Sequence, residues 1–150
     1  MKTSTLLLAL VCVLGITTAP GQTINLTHRY SFNGNANDLV GTANGTLQGG
    51  AIISNNALVL DGVNSYLALP ANIATNYTAI TLEAWVTDNG SGAWARIFDF
   101  GNNTADYMFL ALPAGGGNLR GAYTTGGNGA EQVLQWPGGR PAAGQESHIV

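Results

Sequence analysis

The sequence predicts an all-β, antiparallel protein, and three observations carry that prediction. Beyond Gln22 no amphipathic helical stretch of useful length appears. Short apolar runs with a period of two recur instead, the pattern of strands with one face turned inward. Turn residues separate those runs, and glycine supplies 21 of the 150 residues, enough to place a turn in most of the gaps. Many short strands with frequent turns read as a sandwich or barrel.

Each element follows from its own pattern. In Leu26-Thr27-His28-Arg29-Tyr30-Ser31-Phe32 the residues Leu26, His28, Tyr30 and Phe32 share one face, which predicts a first strand. The loop Asn33 to Asp38 ends it, and Asn44-Gly45 is a strong turn signal. Ala57-Leu58-Val59-Leu60, the turn Asp61-Gly62, and Ser65 to Leu69 read as a hairpin that Pro70 stops. Ala71 to Asn76 has room for one helical turn. The clearest strand is Ala79 to Val86, with Ile80, Leu82, Ala84 and Val86 on one face and Thr81, Glu83 and Trp85 on the other. Ala95 to Phe100, Tyr107 to Leu112, Leu119 to Thr124, Glu131 to Leu134 and Ser147 to Val150 complete the series. His148-Ile149-Val150 reads as the opening of an apolar strand, so the expected domain is incomplete at its C-terminal end.

The first residues read as a secretory leader. Lys2 gives the positive start, Leu6 to Ile16 an apolar run too short to span a bilayer, and Ala19-Pro20-Gly21 a small-residue cleavage site before Gln22. This divides the chain into a signal peptide, 1–21, and a domain, 22–150, and places the protein outside the cell or on its surface. No membrane insertion is expected after cleavage. Cys12 would leave with the leader, and no disulfide supports the remainder.

Charge excludes some partners. The chain has a net charge of −3, and Lys2 is its single lysine. The domain's cations are Arg29, Arg96, Arg120 and Arg140. So few cations cannot supply the counterion release that drives nucleic-acid binding.

Several segments, taken in order, resemble bacterial laminin-G-like domains of the concanavalin-A-like lectin/glucanase superfamily. They are Tyr30-Ser31-Phe32-Asn33-Gly34, Leu58-Val59-Leu60-Asp61-Gly62 with Tyr66-Leu67, Ile80 to Val86, and Arg96-Ile97-Phe98-Asp99-Phe100-Gly101. His148-Ile149-Val150 is similar to that family's next strand. The resemblance implies a two-sheet antiparallel jelly roll, often appended to a larger secreted or surface protein. It does not imply one ligand, because fold and function separate.

Glucanases of that superfamily carry closely alternating carboxylates on one strand. Here Glu83, Glu131 and Glu146 each lack an acidic neighbour two positions away, so no catalytic residue is assigned within this segment. The expected function is binding of a glycan or another surface polymer. Alternatives are an appendage of a glycoside hydrolase whose catalytic part lies downstream, and a structural spacer. Oligomeric state is not legible. The ligand-binding candidates are Trp94, Arg120, Tyr123 and Trp136: aromatic rings stack on sugars and the guanidinium donates hydrogen bonds. Related sandwiches often hold structural Ca²⁺, and Asn33, Asn35 and Asp38 form an oxygen-rich loop that could ligate it. The competing reading of those residues is turn geometry alone.

Overall fold

A computed structural model describes residues 25–112, 117–136 and 138–150. The expected leader and cleavage site lie outside the described residues. Every strand pairing among the described residues is antiparallel, and no α-helix occurs there.

The strands are β1 (Thr46–Gln48), β2 (Ile52–Ser54), β3 (Ala57–Val59), β4 (Tyr66–Ala68), β5 (Ala84–Thr87), β6 (Ala95–Gly101), β7 (Tyr107–Leu112), β8 (Arg120–Thr124), β9 (Gln132–Gln135) and β10 (Glu146–Ile149). β1 pairs with β4, β2 with β3, and β10 with β5, while β6-β7-β8-β9 form a four-stranded meander. Along β5 exposure alternates as expected: Ala84 and Val86 are half-buried, Trp85 and Thr87 exposed.

Three expectations in the N-terminal half are corrected. Leu26 to Phe32 joins no sheet. Its polar groups are drawn to the following loop instead: the Arg29 amide donates to Asp38 Oδ1, the Arg29 carbonyl accepts from the Leu39 amide, and Tyr30 Oη donates to the Ala43 carbonyl at 2.6 Å. The expected hairpin of Ala57–Leu60 with Ser65–Leu69 does not form either. Asn55 and Asn56, at φ of 52° and 59°, make the two-residue left-handed turn that joins β2 to β3. The Asp61 loop is closed by its own carboxylate, which accepts the amides of Val63, Asn64 and Ser65. At Asn44-Gly45 there is no turn. A Cβ at Gly45 would stand 2.7 Å from Leu67 Cδ1, so a larger residue there would make the Leu67 side chain shift.

The meander positions the site. Cross-strand partners share a face. Arg96, Ala111, Arg120 and Gln135 lie in one row, Asp99, Phe109, Ala122 and Val133 in the next, and Gly101, Tyr107 and Thr124 in a third. The opposite face carries Phe98, Leu110, Gly121 and Leu134, then Phe100, Met108, Tyr123 and Gln132. The register shifts between Arg96 and Phe98, leaving Ile97 as a bulge. That extra residue puts Arg96 and Asp99, three apart, on one face; a regular strand would place them on opposite faces.

The core cluster of Phe109, Ala111 and Ala122 sits on the Arg96 face, with Tyr107 packed against it. The other face holds the half-buried rings of Phe98 and Phe100, with centroids 5.7 Å apart.

Candidate functional site

A groove of about 800 Å³ runs over the Arg96 face of the meander. Its floor is Tyr107 and Phe109, both from β7, with Arg96 and Asp99 from β6 beside them. Glu131, just before β9, and Trp94, just before β6, close its sides.

Two guanidinium groups organise the groove. Arg96 Nε donates to Asp99 Oδ2 at 3.2 Å, and its Nη1 donates to the Trp94 carbonyl. The same guanidinium lies 3.9 Å from the centre of the Phe109 ring, a cation–π contact that shields this core residue from solvent. Arg120 is ion-paired with Glu131. Tyr107 Oη donates to the other Glu131 oxygen at 2.6 Å. That hydrogen bond, then burial, raises the Tyr107 pKa above its ordinary value. The carbons of both guanidinium groups stand 5.6 Å from the Trp94 ring centre. The indole thus lies beside two cations and remains 43% exposed.

The rim is clipped by side-chain hydrogen bonds. Asn103 Oδ1 accepts from the amides of Ala105 and Asp106, a side chain imitating a backbone turn. Thr124 Oγ1 accepts from the Gly126 amide and donates to the Gly127 carbonyl. The Gly127 amide then donates to the Ala105 carbonyl, joining the two loops. Gly127 has φ of 77°, a conformation that a side chain would strain.

Trp94 itself has φ of 70°, where bulky residues are rare. Backbone strain of this kind concentrates at ligand sites. Trp94→Gly is therefore expected to be more stable than Trp94→Ala by about 1 kcal/mol. Both lose the indole, but glycine alone relieves the backbone. Urea denaturation of the pair checks this, and equal stability would show that position 94 is not strained.

Of the ligand residues expected from sequence, Trp94 and Arg120 come together here. Tyr123 does not join them: it lies on the opposite face, between Met108 and Gln132. Trp136 lines a separate groove of about 420 Å³ with Leu119, Arg140, Pro141 and His148. Trp85 stacks on His148 at 4.2 Å, and the His148 Nε2 lies 2.9 Å from Glu83 Oε1. The sequence reading missed Arg96, Asp99, Tyr107 and Glu131. The alternation of Tyr107 with Phe109 could have signalled the first aromatic row, but nothing local announces the bulge.

Asn35 and Asp38, of the expected Asn33, Asn35 and Asp38 set, are engaged with their own loop. Asp38 Oδ1 accepts the amides of Arg29 and Val40. Its Oδ2 accepts the Ala43 amide and lies 2.7 Å from His28 Nδ1. Asn35 Oδ1 accepts the Asn37 amide. A calcium ion on Asp38 would have to displace these donors, so the loop as folded does not fit one. Among the described residues no group of three or more His, Cys, Asp or Glu converges to hold a metal.

An antiparallel all-β chain with an aromatic groove on one sheet is the class of protein defined so far. Residues 61–150 match a laminin-G-type family model described as the concanavalin A-like lectin/glucanases superfamily, and the chain belongs to that family. The match includes every groove residue named above. A crystal structure of residues 221–444 of an S-layer domain-containing protein from Clostridium thermocellum is similar at 27% identity, with a TM-score of 0.58 over 74% of this chain. The alignment spans 57% of that structure's length. A search of curated proteins gives no match.

Proposed function

We propose that this protein is a non-catalytic glycan-binding module of the cell surface, and that the groove on the four-stranded sheet is its binding site. The partly exposed indole of Trp94, lining the groove beside the Arg96 and Arg120 guanidinium groups, is the observation that carries this reading. Sugar rings present C–H faces that stack on indole, while their hydroxyls need acceptors and donors at the ring edge. Asp99, Asn103 and Asn128 line the same groove and offer both. Glu131 and Asp99 are each engaged by a guanidinium, an arrangement suited to positioning rather than to passing a proton. The surface location draws on the sequence of the leader and on the S-layer domain-containing relative. A two-sheet jelly roll belongs to the same proposal. The face bearing Phe98, Phe100, Met108 and Leu110 is apolar enough to pack against a second sheet.

Trp94→Ala is expected to weaken retention on the bound polysaccharide at least tenfold, on the order of a hot-spot aromatic. Trp136→Ala, in the separate groove, is expected to leave it unchanged. Affinity electrophoresis against a panel of soluble polysaccharides reads both. Retention that survives Trp94→Ala would move the site elsewhere, and release of reducing ends by the wild type would replace binding by hydrolysis.

A further inference from the structure

We infer that the groove selects uncharged, hydroxyl-rich glycan chains and rejects polyanionic ones, an inference that rests on reading the groove as a glycan site. Recognition of a carboxylate or sulfate on a sugar needs a cation with free donors, best a guanidinium fork. At the groove each guanidinium is already paired with a carboxylate, so neither presents an uncompensated charge. Arg96 directs Nε to Asp99 and Nη1 to the Trp94 carbonyl. Arg120 is committed to Glu131, and its Nε is buried away from solvent. Each positive charge at the site is thus matched by a carboxylate touching it.

The charges outside the groove do not reverse this balance. The described residues contain no lysine, Arg140 is paired with Asp88, and the chain as a whole is acidic. A polyanion approaching this surface meets repulsion and gains little from counterion release. The groups the groove does expose suit hydroxyls. The Asp99 side chain is 53% exposed, so it can accept from a sugar O–H and repels a sugar carboxylate. Gly126, Gly127 and Gly129 let a chain approach the backbone along the rim.

The test is affinity electrophoresis of the protein in gels containing a neutral β-glucan, xylan or mannan, or polygalacturonate, alginate or heparin. Each is run between about 0.02 M and about 0.5 M NaCl, a range over which exposed charge attraction is screened out. The expected result is Trp94-dependent retardation by at least one neutral polymer, changing less than about twofold across the salt range. The polyanions are expected to give none. Asp99→Asn, which frees the Arg96 fork, is expected to create salt-sensitive retardation by a polyanion. Trp94-dependent retardation of the wild type by a polyanion, lost at high salt, overturns the inference and leaves the glycan groove standing. Failure of Asp99→Asn to gain polyanion retention also overturns it, since charge pairing would then not be the cause. Absence of Trp94-dependent retardation by polymers of both kinds overturns the glycan reading itself.

Discussion

Asp38→Ala is expected to lower the thermal midpoint by on the order of 10 °C, one of the two largest losses of stability anticipated for single substitutions here. The Asp38 side chain is fully buried and serves as the acceptor for three backbone amides, with the His28 ring at 2.7 Å. Alanine would leave those donors without a partner, and an unsatisfied buried donor bears its full desolvation penalty. The segment from Leu26 to Phe32 has no strand ladder to hold it, so its attachment rests on this carboxylate together with the Arg29–Leu39 and Tyr30–Ala43 hydrogen bonds. Differential scanning calorimetry reads the shift; a variant melting within a degree or so of the wild type would show that the segment contributes little.

The same residue sets the acid limit. Burial alone would raise the Asp38 pKa, but hydrogen bonds from His28 and from backbone amides outweigh it and hold the group well below 3.8, its ordinary value. Ser65 and the Val63 and Asn64 amides do the same for Asp61. At Asp88 burial is again opposed, here by Ser91, Arg140 and Gly90. A carboxyl group with a depressed folded pKa stabilises the fold above its unfolded pKa, and that stabilisation is lost as pH falls through the folded value. The midpoint should therefore hold from neutrality to about pH 4 and decline below it, with a shallower decline in Asp38→Asn. Equal slopes in the two proteins would remove Asp38 from the account.

Glu131→Ala is the second large effect, a loss of about 3 kcal/mol. The Glu131 side chain is 10% exposed and Arg120 is 21% exposed, so removing the carboxylate strands a guanidinium with little water around it. It also removes the acceptor of the Tyr107 hydroxyl. Two measurements separate this from general damage. Ultraviolet titration should show the Tyr107 pKa returning towards 10.0, because Glu131 is the main cause of its elevation. The double variant Arg120→Met, Glu131→Leu should recover most of the stability, since replacing both partners leaves no buried charge. A double variant as unstable as the single one would mean that the pair contributes through shape and not through charge.

How much of this was legible in advance follows from what alternation can encode. Period-two patterning identified β7, most of β5 and, within a residue or two at each end, the strands from β6 to β10. It fixes which side chains share a face inside one regular strand, and by that rule Arg120 and Tyr123, three apart in β8, were already separated. Trp94 and Arg120 were legible as candidate ligand residues because an indole near a glycine-rich loop and an arginine in a strand are informative types. Alternation says nothing about which strands pair. The choice of β1 with β4 and β2 with β3 depended on the Asn55-Asn56 turn and on backbone contacts distant in the chain. Nor does it register a bulge. The added residue at Ile97 inverts the facing of the rest of β6, and so brings Asp99 to Arg96 and both into the groove. The amino-acid sequence by itself therefore determined the all-β class and picked out Trp94 of the groove and the Arg120 that pairs with its Glu131. Only the tertiary structure decided the face they occupy and the carboxylates beside them, because parity across a bulge and strand partnership are set by hydrogen bonds between residues far apart in the chain.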